Sequence, residues 1–133
     1  MSFFSDDYTA ISGVNLYVGW GSTAVASEVD IEGNNTYKLA TLDKQGVGFS
    51  DIDLSEKSYI HLDYWTPNAT SFDVYVFGSG TETPYVVDAT QGSWQSIDIP
   101  LSSYPNANLE SAHYMKFEGQ EGATIYLDNI YFY

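Results

Sequence analysis

The feature that most restricts the fold of this chain is a repeat of short apolar runs broken by turn residues. Runs rich in Val, Ile, Thr, Tyr and Phe recur at a spacing of roughly 8–12 residues, the pattern of a β-sandwich or barrel. They predict strands near 24–31, 36–41, 46–50, 57–65, 71–78, 84–89, 94–99, 112–118 and 123–132. Between them lie "EGNNT", "TPNAT", "GSGTETP", "TQGS" and "EGQEGA", each supplying Gly, Asn, Pro or Thr for a reversal. No segment keeps a helical period over about 12 residues, and "LSSYPNANLESA" reads as a loop with at most one helical turn. Residues 8–23 form a long, glycine-containing excursion that holds Tyr17 and Trp20. The fold class is all-β.

Two strands declare which face they bury. Ile60, Leu62 and Tyr64 alternate with Tyr59, His61, Asp63 and Trp65, and Phe72, Val74 and Val76 alternate with Asp73, Tyr75 and Phe77. Each therefore has an aliphatic core face and a second face mixing aromatic with polar groups. The mixed face is either the floor of a binding cleft or a wetted sheet surface.

Charge then removes whole classes of partner. The 133 residues contain 18 acidic side chains against four lysines and no arginine, a net charge of −14. Nucleic-acid binding needs cations to displace phosphate counterions, and few exist here. Anionic lipid surfaces and polyanionic glycans are disfavoured by the same repulsion, which leaves neutral ligands and metal cations. Self-repulsion also favours a monomer. At this length the reading is a single domain spanning 1–133, large enough to bury a core without the cysteines it lacks. No apolar run of about 18 residues is present to span a membrane. "MSFFSDD" has neither a basic nor an apolar leader region, as expected of a domain excised from a larger secreted protein. Twelve Tyr, seven Phe and three Trp exceed what a small core needs, and flat rings of this kind suit stacking on sugar C–H faces.

The run "SEVDIEG" imitates an active site. Glu28, Asp30 and Glu32 fall on alternate positions of a strand-like segment, so all three carboxylates are expected on one face. Laminarinase-like glycoside hydrolases of family sixteen carry their nucleophile and acid in a similar Glu-x-Asp-x-Glu run. Same-face neighbours lie roughly 6.5–7 Å apart, close enough for a retaining pair. Those hydrolases nevertheless need about twice this length to wall a cleft, and "GNNTYKL" lacks the Gly or Gln that usually follows the last acid. The run is read as a strand closing on a tight "GNN" turn, with a small β-glucanase as the lesser alternative.

Several longer stretches carry a resemblance. "FFSDDYTAISG", "WGSTAVASEVDIEGNNTYKLATLDKQGVGF", "YIHLDYWTPNATSFDVYV", "GSWQSIDIPLS" and "GATIYLDNIYFY" together resemble a carbohydrate-binding module. The likeness is to the β-jelly-roll modules attached to secreted polysaccharide hydrolases and surface glycan-binding proteins of marine bacteria. It implies a two-sheet antiparallel β-sandwich without catalysis, located outside the cell or at its surface. It also implies a neutral polysaccharide ligand, β-glucan of the laminarin type being the best match. A structural calcium is implied as well, held by Asp6 in "SDDY" (or, less well matched, Asp7), Asp128 in "YLDNI" and the "EGNN" turn at Asn35. A structural or adhesive domain, with calcium for rigidity alone, is the rival reading.

The candidate ligand contacts are few. Trp20 in "YVGWGS" is flanked by glycines in a loop, a costly setting for an indole unless something packs on it. Trp65 closes a strand on the mixed face, and Tyr17 shares the long excursion with Trp20. Gln45 and Lys44 in "DKQGVGF" sit in a turn that can approach the Trp20 loop and read hydroxyls, with His61 and Tyr75 as secondary candidates. Related modules often carry an aromatic where Lys44 stands. For Trp94 in "GSWQS" the two arguments divide: alternation turns it outward, whereas the resemblance makes it a scaffold residue.

Overall fold

The computed structural model describes residues 1–5 and 8–133. Nine strands are present among them: β1 (Ser2–Phe4), β2 (Asn15–Val18), β3 (Val25–Ile31), β4 (Asn34–Ile52), β5 (Tyr59–Trp65), β6 (Ser71–Phe77), β7 (Tyr85–Asp88), β8 (Gln95–Pro100) and β9 (Ala112–Phe132). All strand pairings are antiparallel. "LSSYPNANLESA" contains two single 3-10 turns, Leu101–Ser103 and Leu109–Ser111, one more than expected.

The strands form two layers because β4 and β9 each run through both. The first half of β4 pairs with β3 and with the second half of β9, which also pairs with β1 and β5, and β5 pairs with β8. The second half of β4 pairs with β2 and with the first half of β9, which pairs onward with β6 and β7. The crossing falls where Leu42 faces Ala123 and Lys44 faces Glu118, leaving extra residues on β9 opposite Asp43. Thr41 and Gly122 take positive φ there (47° and 81°), letting the chain bend without stopping. "EGQEGA" is therefore a bulge inside one long strand and not the expected turn.

Alternation fills the space between the layers. Ile60, Leu62, Tyr64, Phe72, Val74 and Val76 are all buried as their spacing predicts. The layers meet through edge-on ring contacts, Phe3 on Phe49 at 4.6 Å and Tyr64 on Phe72 at 5.1 Å. Buried Tyr104 donates its hydroxyl to the Val74 carbonyl at 2.8 Å, and Tyr37 donates to the Leu16 carbonyl at 2.6 Å.

The long excursion expected over residues 8–23 is partly ordered. Ala10 bridges to Ser2, and Asn15–Val18 adds the edge strand β2 to the second layer. Phe132 N donates to Met1 O at 2.9 Å, so the first and last residues are neighbours.

Candidate functional site

The outward face of the second layer carries a groove of about 420 Å³ lined by Trp20, Lys44, Phe77, Glu82, Lys116 and Glu118. Its floor comes from register. Gly46 on β4 faces Lys116 on β9, which faces Tyr75 on β6, and the neighbouring row is Gly48, Tyr114 and Phe77. The glycines leave the sheet bare at the point where Trp20 folds down from its loop. A β-carbon on Gly46 would stand 2.7 Å from the indole, whose ring centre lies 5.6 Å from Tyr114 in an edge-on contact.

The Trp20 loop is fastened by Asp43. Its carboxylate accepts backbone N–H bonds from Thr23 (2.9 Å), Ala24 (3.0 Å) and Lys44 (2.6 Å). The Thr23 bond is the largest influence and outweighs desolvation, holding the Asp43 pKa down at about 2. Thr41 Oγ1 adds a bond to the Thr23 carbonyl at 3.0 Å.

Charge in the groove is paired. Lys116 Nζ lies 2.8 Å from Glu82 Oε1, 3.0 Å from Glu118 Oε1 and 4.1 Å from the centre of the Tyr75 ring. Burial pulls the lysine pKa down, but the bonds and charges of Glu82 and Glu118 outweigh it and hold the ammonium above its usual value. Burial likewise pushes Glu118 up, and the Tyr75 hydroxyl (2.8 Å) with Lys116 brings it below the usual carboxylate range. Asp73, opposite Glu118 in the register, is raised by burial and by that neighbouring charge. A ring wall beside fixed carboxylates and an ammonium can stack a sugar face and exchange hydrogen bonds with its hydroxyls.

Trp20 and Lys44 thus come together, whereas Tyr75 is buried beneath the Lys116 ammonium with its hydroxyl donated to Glu118, which makes it a support under the groove and not the expected contact. The other expected contacts do not join them. Gln45 turns inward, 4% exposed, and donates Nε2 to the carbonyls of Val18 (2.9 Å) and Gly46 (3.0 Å). It ties β2 to β4 through its amide N–H groups and, with Tyr17, Gly19, Gly21 and Ala24, lines a separate groove of about 370 Å³, so it does not join the Trp20 groove as expected. Tyr17 leaves the groove and donates its hydroxyl to Glu28 at 3.1 Å. His61 lies on the other layer, between Asp98 (2.8 Å) and Asp63 (3.2 Å) and stacked on Tyr131.

Trp65 also belongs to the other layer. It meets Tyr126 edge-on at 5.5 Å and lines a second groove of about 330 Å³ with Val29, Ile31 and Trp94. The two mixed faces therefore point to opposite sides of the sandwich. Trp94 is 45% exposed, so alternation was the better guide and the scaffold role is corrected. Lys116, Glu118, Tyr114 and Glu82 escaped sequence reasoning. The first three alternate with Met115 and Phe117, a signal that was available, whereas Glu82 lies in a loop with no periodicity to mark it.

The three acidic residues of "SEVDIEG" do not share a face. β3 ends at Ile31, and Glu32 and Gly33 form a two-residue hairpin turn with φ of 53° and 85°. The turn is therefore "EG" and not "GNN". Asp30 accepts the Gly33 N–H at 2.8 Å, and Glu28 accepts from Asn35 Nδ2 at 2.9 Å and from Tyr17. Neither groove is lined by any of the three.

Of the calcium ligands implied by the resemblance, Asp6 and the alternative Asp7 lie outside the described residues. Asp128 is buried, and it is Asn34 that reaches it, Nδ2 to Oδ2 at 2.7 Å, while Asn35 turns away to Glu28. Among the described residues no group of three or more His, Asp or Glu is placed to hold a metal. Asp128 itself supplies the hard carboxylate oxygens that suit calcium, while its partners here are N–H groups, Asn34 Nδ2 and the Asn129 backbone N at 2.7 Å.

No protein-family model matches the sequence, and no curated protein matches it. Solved structures do share its fold. The family 11 carbohydrate-binding module from Clostridium thermocellum, in complex with a β-1,3-1,4-mixed-linked tetrasaccharide, superimposes with a TM-score of 0.66 at 18% identity, covering 96% of this chain and 92% of that one. A family 30 module of a cellulosomal cellulase of the same organism gives 0.62 at 18% identity, covering 92% and 88%. A variant of a family 29 module complexed with cellulohexaose gives 0.67 at 9% identity, covering 98% and 87%. This chain has the fold of those modules: an antiparallel jelly-roll β-sandwich.

Proposed function

We propose that this chain is a non-catalytic carbohydrate-binding module that holds a neutral polysaccharide in the Trp20 groove. The observation that carries the proposal is the indole laid across Gly46, beside Phe77 and the Lys116–Glu118 pair, on an outward face. A glucosyl ring stacks on Trp20 while Lys44, Lys116, Glu82 and Glu118 exchange hydrogen bonds with its hydroxyls. The ligand class is β-glucan, laminarin-type or mixed-linkage. The mixed-linked tetrasaccharide bound by the family 11 module of like fold supports that choice. A net charge of −14 supports a neutral over an anionic glycan and a monomer over an oligomer. Affinity is expected on the order of micromolar to millimolar, because a small solvated groove offsets much of its contact energy.

The setting proposed is extracellular or at the cell surface, as one part of a larger protein. A structural calcium is proposed at Asp128; the Asn34 amide, which here donates Nδ2 to that carboxylate, would turn its oxygen to the ion. Affinity electrophoresis tests the function: retardation by laminarin or mixed-linkage glucan, lost in Trp20→Ala, is the expected result. No retardation by laminarin, mixed-linkage glucan, xylan or mannan would leave a structural or adhesive domain as the better reading.

A further inference from the structure

We propose that the groove on the first layer is a second saccharide platform, so that one domain joins two glycan chains back to back. The two-chain bridge rests on the reading of the Trp20 groove, but the second platform stands on its own geometry. Trp65 and Tyr126 meet edge-on and Trp94 stands beside them, nearly half exposed, with Val29 and Ile31 completing the walls. The indole N–H groups of Trp65 and Trp94 and the Tyr126 hydroxyl have no hydrogen-bond partner among the described residues. The site thus offers flat rings together with free donors at their rims, the pairing that a sugar face and its hydroxyls require. Lys38 Nζ lies 5.4 Å from the Tyr126 ring centre and adds a donor at the edge.

Other occupants fit worse. A second copy of the chain would bring another −14 against the same face. A stable protein partner covers about 20–30 residues a side, whereas five side chains line this groove. An anionic ligand meets the net charge of the whole domain. An uncharged saccharide meets none of these objections.

The layers pack about 10 Å apart, as sandwich sheets do. A single saccharide chain cannot lie on both outer faces without turning a sheet edge. Two occupied platforms therefore engage two chains, and β4 and β9, which run through both layers, hold the platforms in fixed relation.

The indole N–H signals of the three tryptophans report each site separately in an NMR titration of the whole domain with a mixed-linkage β-glucan tetrasaccharide and with laminarihexaose. All three signals are expected to shift in the wild-type chain. In Trp20→Ala the Trp65 and Trp94 signals are expected still to shift, and in Trp94→Ala the Trp20 signal. Light scattering from dilute mixed-linkage glucan should rise with the wild-type domain and return to background with either variant. Trp94 stands outside the strands and half in solvent, so its loss removes no core packing. Static Trp65 and Trp94 signals beside a moving Trp20 signal would overturn the second platform and leave the Trp20 site standing. Movement at Trp65 and Trp94 with none at Trp20 would overturn the bridge and the Trp20 reading, while keeping the platform. A chain that moves no signal with either sugar would overturn all three.

Discussion

Trp20 occupies the space that a side chain at residue 46 would fill: three of its ring atoms lie 2.7–3.0 Å from the β-carbon position on Gly46. A glycine at that point of a strand costs stability, and here it lets the indole come directly against the backbone of β4. Gly46→Ala should lift the ring, because the ring is the movable partner and the backbone is not. The expected result is a loss of glucan retardation comparable to Trp20→Ala, with a stability change of no more than about 1 kcal/mol in urea unfolding. Unchanged binding would show that the pose of the indole is immaterial.

Asp43 places the same ring indirectly, as a positioning residue. Its folded pKa of about 2 lies below its ordinary value of 3.8, so its contribution to stability is fully present above pH 4. That contribution fades as the pH falls toward 2. Asp43→Ala should therefore destabilise the domain near pH 6, and the gap from wild type should narrow when unfolding is measured near pH 2.5. Glucan affinity should fall although Asp43 touches no ligand, because the Thr23–Ala24 segment behind Trp20 loses its anchor.

Lys116 joins three groups that would be mismatched without it. Lys116→Ala leaves Glu118 half-buried beside Asp73 with only Lys44, opposite it on β4, as a nearby cation, and uncovers the Tyr75 ring. A loss of about 1–2 kcal/mol is expected, between the values for exposed and fully buried pairs. Glu118→Gln in the same background should restore part of it. A double-mutant cycle on the two positions measures the coupling.

Calcium makes a prediction of its own. If Asp128 holds the ion, the melting temperature should rise in calcium relative to a chelator, since a ligand that binds only the folded state stabilises it. Asp128→Asn should abolish the difference. Identical melting curves for the wild-type chain with calcium and with chelator would remove the ion from the account.

How far the sequence spoke depends on the strand. β5 and β6 could be read because strict alternation assigns every residue to a face, and all six core residues so named are buried. β4 and β9 were each read as two strands, because a bulge carries the same Gly and polar residues as a turn and only its pairing partners tell them apart. β1 and β2 are too short for a period to emerge. In the candidate site, Trp20 and Lys44 were legible from loop context, while alternation gave the face of Tyr75 but not its burial under Lys116. Gln45 was misassigned because strand β4 runs on through its supposed turn, which sends it inward between Lys44 and Gly46. Trp20 and Trp65 were grouped as one site because a sequence shows which strand face a residue takes and not which layer the strand joins.

The hydrogen bond from Phe132 N to Met1 O makes the domain nearly a closed ring of chain. A domain fused to either end would leave from the same corner, so this one would hang from such a neighbour as a pendant and would not act as a spacer. A short bridge across that corner, with a new opening cut in the exposed Gln91–Ser93 loop, would give a permuted chain with every strand pairing intact.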